Sequence, residues 1–151
     1  MDIRTDPLID TQVIDLLQRH LDGTAPTAPP ESQHALDLEG LRQADVTFWS
    51  IWDDSQLAGM GALKELTSEH GEIKSMRTAD AYLRQGVGAR MLTHIITEGR
   101  TRGYARLSLE TGSMDYFAPA RQMYASLGFV ACAPFSDYTD DPNSTYMTLV
   151  F

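Results

Sequence analysis

The stretch Leu83-Arg84-Gln85-Gly86-Val87-Gly88-Ala89 follows a predicted strand, Glu72 to Thr78, and opens the most regular amphipathic segment of the chain. From Val87 onward, the apolar residues fall on one face of a helix, and Gly103 follows the end of the pattern; they are Val87, Met91, Leu92, Ile95 and Ile96. This spacing predicts a helix that begins at the glycines. Backbone N–H groups at a helix start bind anions, and glycine lets a phosphate approach the backbone. The loop is a candidate diphosphate site, although Gly-x-Gly is also common in turns.

Two other glycine-rich phosphate loops do not fit these residues. A nucleoside triphosphate loop ends in Lys followed by Ser or Thr, whereas Gly88 is followed by Ala89 and Arg90. A dinucleotide-binding fingerprint starts directly after its strand and has a small residue where Met91 stands, whereas residues 79 to 85 intervene here. Dinucleotide binding is a distant alternative, which Glu110 at the end of the next predicted strand keeps open.

The rest of the chain predicts a single α+β domain over residues 1–151, because this length suits one hydrophobic core. Two helical segments precede three antiparallel strands, and a proline-containing break at Thr24 to Pro30 separates the two helices, the second capped by Ser32. The predicted elements are helices ending near Gly23 and over Ala35 to Leu41, strands over Val46 to Trp52, Leu57 to Leu66 and Glu72 to Thr78, the helix from Val87, a strand over Ala105 to Glu110, a helix over Pro119 to Leu127, and strands over Phe129 to Cys132 and Tyr146 to Phe151.

Composition excludes several classes of function. Twelve Lys and Arg residues against twenty-one Asp and Glu give a net charge of −9, which disfavours nucleic acid and anionic lipid as partners. No apolar run reaches the roughly 18 residues that cross a bilayer, and the acidic start does not resemble a signal peptide. The single cysteine, Cys132, and four histidines without ligand spacing predict no metal site. We expect a soluble cytoplasmic protein, and the sequence leaves a homodimer open.

The strand Glu72 to Thr78, the glycine loop, the helix after it and the segment Tyr124-Ala-Ser-Leu-Gly-Phe129 resemble the GCN5-related N-acetyltransferase (GNAT) family over nearly the whole chain. The resemblance implies a mixed, mostly antiparallel central sheet flanked by helices on both faces. It also implies acetyl-coenzyme A as the cosubstrate, with its pyrophosphate on the backbone of the loop and its pantetheine arm paired with the strand. The cofactor-binding residues so implied are Met76, Arg77, Thr78, Arg84, Gln85, Gly86, Val87, Gly88, Ala89 and Ser113.

Two positions depart from the family pattern. Leu83 stands where the family loop usually begins with Arg or Gln, so that Arg84 is the candidate to supply the charge. Phe117 stands where many members have an Asn that reaches the pantetheine, and Ser113 is its candidate substitute. These departures keep open a noncatalytic acyl-coenzyme A binding or sensor module of the same fold.

The resemblance also implies catalytic residues. Tyr124 matches the family's general acid, a phenol that donates a hydrogen bond to the departing sulfur; the alternative is a tyrosine packed in the core. Glu72 matches the glutamate base of members that acetylate lysine side chains. Lys74 is expected on the same face of the strand, so Glu72 is alternatively its ion partner. Backbone N–H groups near Met76 or Arg77 are the simplest oxyanion donors.

The resemblance implies an amine acceptor, and the net charge of −9 favours a small primary amine or an exposed amino group of a peptide over an anionic acceptor. The segments Thr24 to Pro30, Ser113 to Phe117 and Ser136 to Ser144 are expected to line its entrance. Four aspartates in these segments favour a cationic acceptor, unless they serve only solubility; they are Asp115, Asp137, Asp140 and Asp141.

Overall fold

A computed structural model describes residues 1–24 and 34–151 of the chain. Single turns of 3-10 helix, Asp80–Tyr82 and Asp115–Phe117, precede the third and fourth helices. The elements in chain order are β1 (Asp2–Thr5), α1 (Thr11–Thr24), α2 (Leu38–Leu41), β2 (Val46–Asp53), β3 (Gln56–Thr67), β4 (His70–Thr78), α3 (Val87–Thr101), β5 (Arg106–Gly112), α4 (Ala118–Ser126), β6 (Val130–Ala131) and β7 (Ser144–Val150).

The strands form one seven-stranded sheet in the order β1-β2-β3-β4-β5-β7-β6. β4 and β5 are parallel, and the other neighbouring strands are antiparallel. A parallel pair needs a long crossover connection, which α3 supplies between β4 and β5. The predicted mixed, mostly antiparallel sheet is therefore confirmed.

Side-chain alternation along the strands builds a core on each face of the sheet. In β2, Trp49 and Ile51 belong to the cluster that includes the buried residues of α3, whereas Phe48 and Trp52 belong to the cluster that includes α1. Successive strand residues point to opposite faces, so an apolar run such as β2 is expected where both faces are covered. Helices flank both faces, as predicted.

The sheet divides between β4 and β5. The two strands pair only from His70 to Ile73 and from Arg106 to Leu109, although β4 continues to Thr78 and β5 to Gly112. Beyond the paired segment, β4 carries a bulge in which two residues, Ser75 and Met76, oppose Gly61 of β3. Ser75 has a φ of 56°. A bulge bends and twists its strand, and here it accompanies the separation of β4 from β5.

Three details differ from the sequence expectations. β1 was not predicted, because this edge strand is short and largely exposed and so lacks an apolar alternation. The second helix is only one turn long, and its cap is Asp37, whose side chain accepts a hydrogen bond from the Gly40 N–H at 2.9 Å. The predicted cap Ser32 lies outside the described residues. Across the described parts of the chain, no helix combines the length and the apolarity that a bilayer crossing needs.

Candidate active site

A cleft of about 740 Å³ opens where β4 and β5 separate. One wall comes from the end of β4 and the glycine loop with the first turn of α3, and the other from the segment after β5 and the buried side of α4. His20 of α1, Met60 of β3, and Asp80 and Tyr82 of the first 3-10 turn complete the lining. Asp80 is exposed and pairs with Arg19 of α1 at 3.7 Å. This volume is within the range that holds a small ligand or cofactor.

The glycine loop is built around a left-handed residue. Gly86 has a φ of +79° and caps the N-terminus of α3, a conformation that glycine adopts without strain. A Cβ on Gly88 would lie 3.0 Å from the sulfur of Met123, so the absent side chain leaves room between α3 and α4. Val87, Gly88 and Ala89 line the cleft, and the first backbone N–H groups of a helix have no acceptor within it. The loop therefore presents free donors and the positive end of the helix dipole to the cleft.

Most of the residues implied for cofactor binding meet at this cleft. Those that line it are Met76, Arg77, Thr78, Arg84, Gly86, Val87, Gly88 and Ala89. Gln85 does not line it, and its side-chain amide donates to the carbonyl oxygen of Ala81 at 3.2 Å. Ser113 does not line it either, because its exposed hydroxyl donates to the carbonyl oxygen of Pro142 at 2.6 Å. Phe117 occupies the cleft wall instead.

Tyr124 packs in the core and also lines the cleft. Its ring makes an edge contact with Phe129 at a centroid distance of 5.7 Å, and only 6% of the residue is exposed. No side chain or backbone group in the described parts of the chain hydrogen-bonds to its hydroxyl. Burial raises the pKa of Tyr124 well above its usual value. The phenol therefore stays protonated, and its donor is available to a ligand in the cleft.

Glu72 is buried in β4, in the segment that still pairs with β5, and it is hydrogen-bonded to two neighbouring side chains. Its Oε2 accepts a hydrogen bond from Lys74 Nζ at 3.1 Å and one from the Tyr138 hydroxyl at 2.5 Å. The exposed fractions of the Lys74 and Glu72 side chains are 9% and 4%. The Glu72 Oε1 atom receives no hydrogen bond from the described residues. Glu72 is thus an ion partner of Lys74, and it does not line the cleft itself.

Neighbouring polar groups on this face of the sheet are hydrogen-bonded to one another. Thr148 Oγ1 donates to the Leu107 carbonyl oxygen, and Ser108 Oγ lies 3.0 Å from Thr148 Oγ1 and 2.7 Å from His70 Nε2. The Thr148 hydroxyl uses its proton on Leu107, so Ser108 donates to Thr148 and accepts from His70 Nε2. Over residues 1–24 and 34–151, no group of three His, Cys, Asp or Glu side chains is arranged to hold a metal ion.

The sequence predicts the segment Ser113 to Phe117 near the acceptor, but its patterns single out neither His20 of α1 nor the side chain of Tyr116. His20 lines the cleft, and its pKa is lowered to about 4, chiefly by burial and secondarily by the charge of Arg77. Tyr116 also lines the cleft and accepts a hydrogen bond from Arg77 Nη1 at 3.2 Å. Neither residue belongs to a local motif, because each reaches the cleft through contacts between segments distant in sequence.

The four aspartates expected at the acceptor entrance do not line this cleft. Asp115, Asp137 and Asp140 are exposed, and Asp141 caps its own turn by accepting a hydrogen bond from the Asn143 backbone N–H. The predicted loop over Thr24 to Pro30 falls on residues that, beyond Thr24, are outside the described part of the chain.

The Acetyltransferase (GNAT) family model matches residues 11–129, which include the split strands, the glycine loop and Tyr124. The chain belongs to the GNAT family. It is 56% identical over 148 residues to an uncharacterised N-acetyltransferase, YsnE, of Bacillus subtilis strain 168, a match that covers 98% of each chain. It is 49% identical over 147 residues to another, YedL of Escherichia coli K12, over 97% of this chain and 92% of that protein.

Solved structures confirm the GNAT fold. A putative acyl-CoA N-acyltransferase from Klebsiella pneumoniae superposes with a TM-score of 0.77 at 24% identity, over 97% of this chain and 94% of that one. A GNAT family acetyltransferase from Elizabethkingia anophelis, solved with acetyl-CoA bound, superposes with a TM-score of 0.73 at 17% identity, over 99% and 97%. At these identities the likeness concerns the fold.

Proposed function

We propose that this protein transfers an acetyl group from acetyl-CoA to a primary amine of a small molecule or a peptide by direct attack. The observation that carries the proposal is the pairing, in one cleft, of the glycine loop at the start of α3 with the unpartnered hydroxyl of Tyr124. The loop residues fit a diphosphate because their backbone donors are free. A cofactor-bound GNAT neighbour supports the choice of donor.

Thioester aminolysis forms a bond between the amine nitrogen and the carbonyl carbon and breaks the bond from that carbon to sulfur. Tyr124 stabilises the negative charge that develops on sulfur by donating a hydrogen bond. Its raised pKa lies above that of an ordinary thiol, which is about 8.5, so full proton transfer from the phenol to the thiolate is uphill. Tyr124 therefore acts as a hydrogen-bond donor, and coenzyme A leaves as the thiolate, which takes its proton from solvent.

The amine must lose a proton as it attacks, and Glu72 is the proposed acceptor. Its Oε1 accepts no hydrogen bond from the described residues, and the residue is 3% exposed. Since Glu72 does not line the cleft, the proton reaches it through a water molecule. The bulge at Ser75 and Met76 interrupts the ladder with β3, and a backbone N–H freed there is the proposed oxyanion donor.

A noncatalytic acyl-CoA sensor is the second candidate. Leu83 is 53% exposed at the start of the glycine loop, and the aromatic ring of Phe117 lines the cleft where many members of the family carry an Asn. Both residues place apolar surface where the family has polar contacts to the cofactor. Fewer polar contacts would position the thioester less firmly but would leave the backbone donors for the diphosphate in place.

Isothermal titration with acetyl-CoA and a thiol-release assay over a panel of amines test both candidates. The enzyme is expected to bind acetyl-CoA and to release thiol when an amine is added. Binding without release for any amine would favour the sensor. Absence of binding to folded protein would contradict both.

A further inference from the structure

The side chain of Arg77 lies on the opposite side of β4 from the glycine loop. Arg77 pairs with Met60 of β3, and directly opposed residues of antiparallel strands share a face of the sheet. Met60 packs with α1, so Arg77 is on the α1 face. The next residue, Thr78, is on the other face, where its hydroxyl oxygen would lie 3.6 Å from a Cβ on Gly88. The diphosphate site and the Arg77 guanidinium therefore occupy different sides of the cleft.

On the α1 side, Arg77 lies where three segments meet. Its Nη1 donates to the Tyr116 hydroxyl, and a Cβ on Gly23 near the end of α1 would lie 3.2 Å from both of these atoms. His20, about one turn earlier on α1, lines the same part of the cleft, and the charge of Arg77 contributes to its lowered pKa. The positive field of the guanidinium thus acts on the groups around it.

No carboxylate in the described part of the chain neutralises Arg77. Among the described residues, Arg4, Arg19 and Arg102 lie within 4 Å of an aspartate or glutamate oxygen. In the same part of the chain, the two arginines that line the cleft, Arg77 and Arg84, have no such partner, and of these two Arg77 lies on the α1 side. It donates one hydrogen bond, to a neutral phenol, although a guanidinium has five N–H donors in a planar fork that matches a carboxylate. In a chain with 21 acidic and 12 basic residues, such an arginine in a cleft is suited to an anionic ligand group.

We propose that Arg77 binds a carboxylate of the acceptor, so that the acceptor is an amine that also carries an acid group, as amino acids and their derivatives do. This inference rests on the proposed function, because it names the substrate class of the same cleft. The Arg77 backbone belongs to the segment Met76 to Thr78 proposed to hold the pantetheine arm. A carboxylate on its side chain therefore brings an amine of the same small molecule near the thioester. The fork also orients the acceptor, since Arg–carboxylate pairs are often bidentate.

The test uses matched acceptors and matched arginine variants in a thiol-release assay with acetyl-CoA. Each acceptor set holds an amino acid, its carboxamide and its decarboxylated amine, with several side chains represented. The parent protein should turn over the acids with the highest kcat/KM. Arg77→Gln should lower kcat/KM for the acids about 10- to 100-fold, mostly through KM, and change the carboxamides much less. For the acids, the kcat/KM of Arg77→Lys should lie between those of the parent and of Arg77→Gln, because lysine keeps the charge but lacks the planar fork of donors.

Two controls separate this role from a structural one. Arg100→Gln removes an arginine at the far end of α3, about 20 Å along the helix from the glycine loop, and should leave the ratio of acid to carboxamide turnover unchanged. Tyr116→Phe removes the internal partner of Arg77 and should preserve the preference for acids. If Arg77→Gln lowers the turnover of acids and carboxamides equally, Arg77 only holds Tyr116 and the inference is wrong.

Failure of the two proposals can be distinguished. If the parent releases thiol with carboxamides or decarboxylated amines as well as with acids, the acid-group inference is overturned and N-acetyl transfer stands. If no member of the panel releases thiol although acetyl-CoA binds, the proposed function is contradicted, and the inference that rests on it is overturned as well.

Discussion

Burial of Tyr124 bears on the role proposed for its hydroxyl in thioester cleavage. In the proposed role the phenol donates a hydrogen bond to sulfur without giving up its proton, so that it stabilises the charge that develops there. Tyr124→Phe keeps the ring packing against Phe129. We expect kcat to fall about 100-fold while the affinity for coenzyme A changes less than about threefold. Steady-state kinetics and titration calorimetry on the same preparation measure both. Unchanged turnover would return Tyr124 to a packing role.

The two interpretations of Glu72 can be separated by removing its ion partner. Glu72→Gln removes the hydrogen-bonded counter-charge of the buried Lys74 and leaves it with the more distant Glu110, which costs about 3 kcal/mol in the free energy of unfolding. Adding Lys74→Met should recover most of that stability. If Glu72 is the base, kcat stays low in the double variant, since the proton acceptor is still missing.

Denaturant unfolding and turnover are measured for the single and double variants, with Lys74→Met alone as the reference. Turnover that recovers together with stability would identify Glu72 as an ion partner and contradict its role as a base.

At the scale of elements, α3 has a left-handed glycine beyond each end, and the two provide a matched comparison. Gly86 and Gly103 have φ values of +79° and +80°, and a Cβ on either would meet nothing within 4 Å. Valine at either position should therefore cost a similar amount of stability, about 1–2 kcal/mol. Only Gly86→Val should abolish acetyl-CoA binding, because only Gly86 lines the cleft.

Calorimetric titration and thermal unfolding of both variants check this prediction. Equal loss of affinity in Gly86→Val and Gly103→Val would mean that the effect comes from helix strain, and the loop would then be an ordinary turn.

The sequence predicted the elements whose signals are local. The apolar period of α3 lies in one continuous segment, and the glycines mark its start, so the sequence predicts this helix and the candidate diphosphate site together. His20 and the side chain of Tyr116 were not singled out, because they reach the cleft only through packing of α1 and the segment after β5 against β4. Ser113 does not line the cleft, since its bond to Pro142 depends on how the loop before β7 folds back, which no local pattern indicates.

At the scale of the whole molecule, burial of His20 in the cleft wall makes the free energy of unfolding fall in acid. The pKa of His20 is about 4 in the folded chain and 6.5 in the unfolded chain, so the unfolded state binds more protons between these values. Stability from keeping this imidazole neutral is fully present above pH 6.5 and is lost as the pH falls toward 4. The slope approaches about 1.4 kcal/mol per pH unit inside this window.

Comparison with His20→Gln isolates this contribution, because other shifted groups remain in both proteins. Burial raises the pKa of Glu110, so this group makes the folded state less stable as the pH rises, which is opposite to the effect of His20. Burial lowers the pKa of His70, so His70 changes stability with pH in the same direction as His20. The free energy of unfolding of the parent minus that of His20→Gln should fall steadily between pH 6.5 and 4.5 in urea titrations. Arg77→Gln should narrow the pH range over which this difference changes. Removing the charge of Arg77 lets the pKa of His20 rise in the folded chain, although burial keeps it below 6.5. A difference that stays constant across this pH range would mean that His20 titrates alike in both states and that the cleft does not exclude its charged form.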